Sequence, residues 1–284
     1  MQRIRPLGYT EPRTLQEASA LLLEHEGAVV FAGGTDLMVA LRRKKSENAF
    51  LVNIKHIPGL SGIRRNADGS FDIGALTTVS ELEYLDIPEL GALTAASAGL
   101  GSRSVRNRAT IGGNVGRASP ASDLASPLIV LEAVAAVHGP DGTRSVPLSR
   151  LFLGPGKSDL RPGEILTAIH IPAQNGSRGW YAKRGRTCGC DCAQAGVAVQ
   201  LLLDGGIIRK AKIALTAVAP VPLPAPLAEA VLEGGRVGPE LFAKAAEQAA
   251  AEARPLTDFR ASADYRRVLV RALALQSLAA ASRR

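Results

Sequence analysis

Two glycine pairs carry the clearest chemistry in this chain: Ala32-Gly33-Gly34-Thr35-Asp36 and Thr110-Ile111-Gly112-Gly113-Asn114. Adjacent glycines reach positive φ and carry no side chain, so a ligand can lie directly against the main chain. Successive N–H groups in such a turn form a concave nest, and a helix that follows adds the positive end of its dipole. That combination suits an anion, and a diphosphate could be held without a lysine. Each pair alone also fits an ordinary tight turn. The second pair, however, continues into Gly116, Arg117, Ser119, Ser122 and Asp123, which add hydroxyls and a carboxylate to the amide of Asn114. Asp123 stands where it could cap a helix beginning at Leu124 or hold a ribose hydroxyl. Asp36 has the same two options, cap or ligand.

The flanking sequence supplies the elements that would position these turns. Val29-Val30-Phe31 reads as a short buried strand before the first turn, and Leu37 to Leu41 as the start of a helix after it. Thr14-Leu-Gln-Glu17 is a capping box, and Leu15, Ala18, Leu22 and Leu23 form the stripe of a helix that ends at Gly27. Leu51 to Ile54 is strand-like. Hairpins are expected around Asp68-Gly69 and around Gly139 to Gly142, and a strand over Glu164 to Ile171. Thr78-Val-Ser-Glu81 starts another capped helix. A polar, glycine-containing stretch, Ala173 to Gly179, marks a boundary. Beyond it, Gly196 to Leu203 and Lys212 to Val218 read as a sheet meander. The proline-rich Ala219 to Pro226 then leads into alanine-rich helices. The last of these runs from about Ser262 through Leu278, with Tyr265, Leu269, Ala272 and Leu273 on one face.

With 284 residues, 46% of them hydrophobic and 21% charged, the chain is globular and long enough for two or three compact units. The glycine pairs match neither G-x-G-x-x-G after a strand nor G-x-x-x-x-G-K-[ST], which speaks against a Rossmann hydride enzyme and a P-loop NTPase. A formal charge of +8 raises the question of nucleic acid, but only 4% of residues are aromatic. The basic residues are also scattered over Arg42 to Lys45, Arg103, Arg106, Arg108 and Arg266-Arg267, so no nucleic-acid partner is expected. No apolar run reaches the roughly 20 residues of a membrane span. The first residues lack a signal-like apolar region, giving a cytoplasmic expectation. Cys188, Cys190 and Cys192 lack a fourth ligand or a nearby histidine, so no metal site is assigned to them.

In combination and order, several motifs resemble the flavin-binding medium subunits of molybdenum hydroxylases, the group of bacterial carbon monoxide dehydrogenase and the central domain of xanthine dehydrogenase. They are Ala32 to Leu37, Arg106 to Asn114 with Ala118 to Leu124, Gly163 to Leu166, Tyr181-Ala-Lys183, Ala219 to Pro222 and Arg260 to Arg266. The resemblance implies an α+β chain: a two-subdomain FAD-binding domain of the PCMH type over residues 1–175, divided at about 57/58, followed by a C-terminal α/β domain over 178–284 with a small antiparallel sheet and helices. FAD is the implied cofactor. Val29, Val30, Phe31, Ala32, Gly33, Gly34, Thr35 and Asp36 would supply backbone contacts. Thr110, Ile111, Gly112, Gly113 and Asn114 would form the second wall, Asp123 would bind toward the adenosine end, and Leu166 and Lys183 would lie at the flavin. A cation there favours the anionic reduced ring.

The resemblance further implies an electron-transfer subunit with no catalytic residue of its own, working with an iron–sulfur small subunit and a molybdenum-cofactor large subunit in a dimer of heterotrimers. NAD, a quinone or oxygen would be the terminal acceptor. Between Lys183 and Asp191 the chain is about one residue longer than the family's Asp-x-Ala pattern, so the acceptor is not carried over. A self-sufficient flavoenzyme and a flavin-free basic interaction protein are the alternatives.

Overall fold

The computed structural model describes residues 8–43, 50–187 and 190–283. Among the described residues three larger sheets follow one another along the chain, and a two-stranded ribbon, Phe152–Gly154 with Lys157–Ser158, lies in sequence before the last strand of the second. The first is parallel, with Phe50–Asn53 between Gly8–Thr10 and Ala28–Phe31, in the register Tyr9 to Leu51 and Val30 to Val52. Parallel strands need crossover connections, and the helix Leu15–Glu24 carries the chain from one outer strand, Gly8–Thr10, to the other, Ala28–Phe31. Thr14 caps it by accepting the Glu17 N–H at 3.1 Å. The expected capping box is only half made, because the Glu17 carboxylate takes the N–H of Arg13 (2.8 Å).

The second sheet is antiparallel, in the order Ile63–Arg65, Phe71–Gly74, Ile165–Ile171, Val134–Gly139, Gly142–Pro147. Both expected hairpins are present, and Ile165–Ile171 joins them as the central strand. Strand Val134–Gly139 alternates half-buried and buried positions, the period-2 pattern of a strand with one face on a core. That core contains Phe71, Ile73, Val137 and Ile169, together with Leu93, Ile111 and Leu128 from helices Gly91–Gly99, Ile111–Gly116 and Ala125–Val130. Each fully buried side chain of this size stabilises the fold by about 1.5–3 kcal/mol.

The third sheet, also antiparallel, runs Arg178–Arg184, Ala195–Asp204, Ile207–Thr216, Leu223–Pro224. Its central strand is covered on both faces. Val197, Val199 and Leu201 meet the helices Pro226–Leu232, Pro239–Glu252 and Ala263–Ser282. Ala198, with Ala214 and Tyr181, joins the core of the second sheet. Alanines on that side let the sheet lie close to the preceding half of the chain.

The buried face of Ala263–Ser282 differs from the sequence expectation. Arg266, Val270, Leu273, Ala274, Ser277, Leu278 and Ala281 are buried, whereas Tyr265 is 46% exposed and Ala272 is exposed. A charge and a serine at core positions hid the true stripe. The Arg266 guanidinium donates to the carbonyls of Gln194 (2.7 Å) and Ala217 (2.8 Å) and to the Asp258 carboxylate (2.7 Å). Those bonds offset its burial.

Candidate functional site

A cavity of about 1090 Å³ opens between the first two sheets, and both glycine turns line it. The first turn connects strand Ala28–Phe31 to helix Leu37–Arg42. The second begins helix Ile111–Gly116, where Thr110 caps the N–H of Gly113 (3.1 Å). The turns touch each other. A side-chain carbon on Gly33 would stand 1.9 Å from the carbonyl oxygen of Arg108, and one on Gly112 would stand 2.7 Å from Ala75. Gly34 has a φ of +74°. These three positions therefore demand glycine for the fold itself, by contact or by backbone conformation. Gly113 differs: it is exposed toward the cavity, and an added carbon would meet only Thr110 Oγ1 at 2.9 Å.

The amides divide the two turns by role. Among the described residues, the N–H groups of Gly33, Gly34, Thr35 and Asp36 find no acceptor in the chain. In the second turn the N–H groups are already used: Ile111 donates to Thr77 (3.0 Å), Gly112 to Ala75 (2.8 Å) and Asn114 to Thr110 (2.9 Å). The first turn thus has the open nest that an anion needs. The second contributes chiefly the side chains of Thr110 and Asn114. Asn114 Oδ1 accepts from the Ser122 hydroxyl, which leaves its NH₂ donors available.

Asp123 neither caps a helix nor stands apart from Lys183. Helix Ala125–Val130 has Leu124 as its cap residue and no side-chain cap bond. Asp123, only 6% exposed, accepts from Lys183 Nζ (2.7 Å) and from the Tyr181 hydroxyl (2.9 Å). Burial pushes its carboxyl above the usual carboxylate range, opposed by the Lys183 ammonium. The Tyr181 phenol is raised well above its ordinary value by burial and by the adjacent Asp123 charge. An ion pair of 2.7 Å holds Asp123 and Lys183 together at one location, whereas the sequence expectation assigned Asp123 to the adenosine end of the cofactor and Lys183 to the flavin.

Other expected residues fall as follows. Val29, Val30, Ala32, Thr35, Asp36 and Leu166 line the cavity. Phe31 turns away, packing with Leu41 and Leu51, and its ring lies 4.1 Å from Lys55 Nζ. Ile111 is fully buried in the core. Asp36 makes no side-chain cap bond, so it stands exposed at the rim of the first turn. Arg106 is occupied by Glu83 (2.8 Å) and by the carbonyls of Leu100 and Gly101, bracing that loop instead of facing an anion. Among the described residues the lining cations without an ion pair are Arg117 and Arg161. Lining acid Glu164 is held ionised, below its ordinary range, by its bonds to Arg144.

An N–H nest, glycine walls and a buried ion pair fit a dinucleotide with a phosphate bridge. The family comparison agrees. Residues 3–174 match the FAD binding domain in molybdopterin dehydrogenase, and 180–281 match the CO dehydrogenase flavoprotein C-terminal domain. This chain belongs to the FAD-binding medium subunits of the molybdenum hydroxylases. It is an oxidoreductase subunit, and FAD is its cofactor. It is 35% identical over 285 residues to the carbon monoxide dehydrogenase medium chain of Hydrogenophaga pseudoflava, covering 96% of each. It is 30% identical over 269 residues to a putative xanthine dehydrogenase FAD-binding subunit of Escherichia coli, covering 93% of this chain and 92% of the other. The solved carbon monoxide dehydrogenase of Hydrogenophaga pseudoflava matches with a TM-score of 0.93 at 34% identity, covering 99% of this chain and 98% of that one.

Sequence reasoning missed the wall made by Leu100, Gly101 and Val105, and Arg161 and Pro162 just before the Gly163 motif. The doublet Gly99-Leu-Gly101 was a legible signal for the first, and Gly101 takes a φ of +53° in the structure. Cys190, Asp191 and Cys192 also line the cavity. Cys188, Lys44 and Lys45 lie outside the described residues. Among the described residues no helix is long and apolar enough to cross a membrane, and no group of three or more His, Cys, Asp or Glu is placed to hold a metal.

Proposed function

We propose that the chain holds FAD so that electrons arriving from an iron–sulfur partner chain leave through it to a terminal acceptor, with substrate oxidised on a molybdenum-bearing partner. The four unpaired amides of Gly33 to Asp36 on the cavity wall carry the placement of the diphosphate. Bound FAD supplies the ability to take electrons singly and release them as a pair. Thr110 and Asn114 face the phosphate bridge from the second turn. Val29, Val30 and Ala32 pass alongside it, and Phe31 and Ile111 act through backbone position. Leu166 lies against the ring system. Lys183, tied to the Asp123 carboxylate that the Tyr181 hydroxyl also holds, brings an ammonium to a site largely shielded from water, where it stabilises negative charge more strongly than in solvent.

The residues fall into an FAD-binding domain over 1–175, in two subdomains, and a C-terminal domain over 178–284. The assembly is a dimer of heterotrimers with an iron–sulfur small subunit and a molybdenum-cofactor large subunit, operating in the cytoplasm with NAD, a quinone or oxygen as acceptor. The test is co-expression with the two partner chains and anaerobic mixing with substrate. Bleaching of the flavin band near about 450 nm only after the iron–sulfur centres are reduced supports this order. A flavin that stays oxidised while those centres are fully reduced overturns it.

A further inference from the structure

Cys190 and Cys192 are both exposed and both line the FAD cavity. They sit on the loop between strands Arg178–Arg184 and Ala195–Asp204, which Asp191 organises by accepting the N–H of Arg186 (3.0 Å) and of Cys192 (2.9 Å). The Cys190 sulfur lies against the opposite wall, 3.8 Å from where a side-chain carbon on Gly101 would stand. The chain itself keeps the two Cα atoms within the span a disulfide can bridge. Residues two apart are separated by at most about 7 Å between Cα atoms, and a disulfide needs about 4.4–6.8 Å. Position 190 already lies in a bend.

We propose that Cys190 and Cys192 form a redox-active dithiol at the cavity, closing to an intraloop disulfide as it reduces oxidised flavin and reopening when reduced flavin returns the electrons. Two S–H bonds break and one S–S bond forms. The sulfurs are oxidised, and two electrons with two protons pass to the flavin, which is reduced. The loop therefore adds a second two-electron store beside the cofactor. The inference rests on FAD occupying this cavity.

The test is an anaerobic dithionite titration of the purified, FAD-loaded chain after thiol oxidation, following flavin absorbance and counting free thiols with a chromogenic disulfide reagent. The oxidised wild type is expected to take up four electrons per FAD and to gain two thiols, whereas Cys190→Ser and Cys192→Ser each take up two electrons with flavin content unchanged. Cys188→Ser should behave as wild type. Uptake of two electrons by the wild type, or of four by Cys190→Ser, overturns the dithiol and leaves the cavity assignment intact. A two-electron uptake by Cys188→Ser overturns the pairing of Cys190 with Cys192. A chain that takes up no FAD overturns the dithiol together with the cavity assignment.

Discussion

Replacing Lys183 by Met should expose how strongly the Asp123 carboxylate depends on its partner. The pair is buried, with 15% of the Lys183 side chain and 8% of the Asp123 side chain exposed, at 2.7 Å. Removing one member of a buried pair costs about 3–5 kcal/mol, because the remaining charge is left in a poor dielectric. At about 2–4 °C per kcal/mol for a chain near this size, the flavin-free variant should melt roughly 6–20 °C below wild type at pH 7.5. Burial already raises the Asp123 carboxyl, and losing the ammonium removes the main opposing influence. The carboxyl then sits further above its unfolded value of about 3.9. The penalty is full above the folded pKa and vanishes below the unfolded one, so the gap to wild type should shrink as pH falls toward about 4. Asp123→Asn combined with Lys183→Met buries no charge and lets the Tyr181 hydroxyl keep an acceptor, so it should regain most of the loss and show no such pH dependence. Calorimetry of the three proteins at several pH values decides this. A Lys183→Met variant no less stable than the double variant, or a gap constant with pH, refutes the reasoning.

Other expectations concern the frame around the site. Arg266→Met should lower stability by about 2–6 kcal/mol in urea unfolding, because two backbone carbonyls lose their donor at about 1–3 kcal/mol each, while Asp258 keeps the N–H groups of Arg260 and Ala261; an unchanged midpoint contradicts the anchoring role. Gly33→Ala and Gly112→Ala should give poorly folded protein by circular dichroism, since the new carbons meet Arg108 oxygen at 1.9 Å and Ala75 at 2.7 Å; native-like spectra and melting contradict the close approach. The Asp72 carboxyl is held down to about 2, first by its hydrogen bond to His170 and then by Asn66. Its stabilisation, at most about 2 kcal/mol after solvent screening, is complete above about pH 4 and is lost as pH falls toward about 2. His170→Asn should therefore be less stable than wild type at pH 5 and equal to it near pH 2, as read by acid-dependent unfolding.

The elements that place the turns were legible because local signals and tertiary need agree there. Val29 to Phe31 is a strand, Thr78 with Glu81 closes a full capping box, and the glycines at 69 and 142 turn the expected hairpins. The roles of individual groups were less legible, because they depend on contacts distant in sequence. Asp123 reads locally as a cap, yet its partners come from a strand almost sixty residues on, Tyr181 and Lys183. The second glycine pair looks like an open nest, but Ala75 and Thr77, brought beside it by the fold, accept two of its amides. Arg266 reads as a surface charge because nothing in its neighbourhood announces the buried carbonyls of Gln194 and Ala217.

The account turns on FAD lying in the cavity with its diphosphate against the glycine walls, and Gly113 is the position that tests this without breaking the fold. Its side-chain space opens on the cavity, with Thr110 Oγ1 as the near neighbour. Fluorescence titration of the flavin-free chain with FAD should give one tight site per wild-type chain. Gly113→Val, confirmed folded by its melting temperature, should bind at least about fivefold more weakly, since an intruding branched side chain costs about 1–3 kcal/mol where its surroundings can yield and more where they cannot. A folded Gly113→Val protein with wild-type FAD affinity would contradict the placement of the diphosphate.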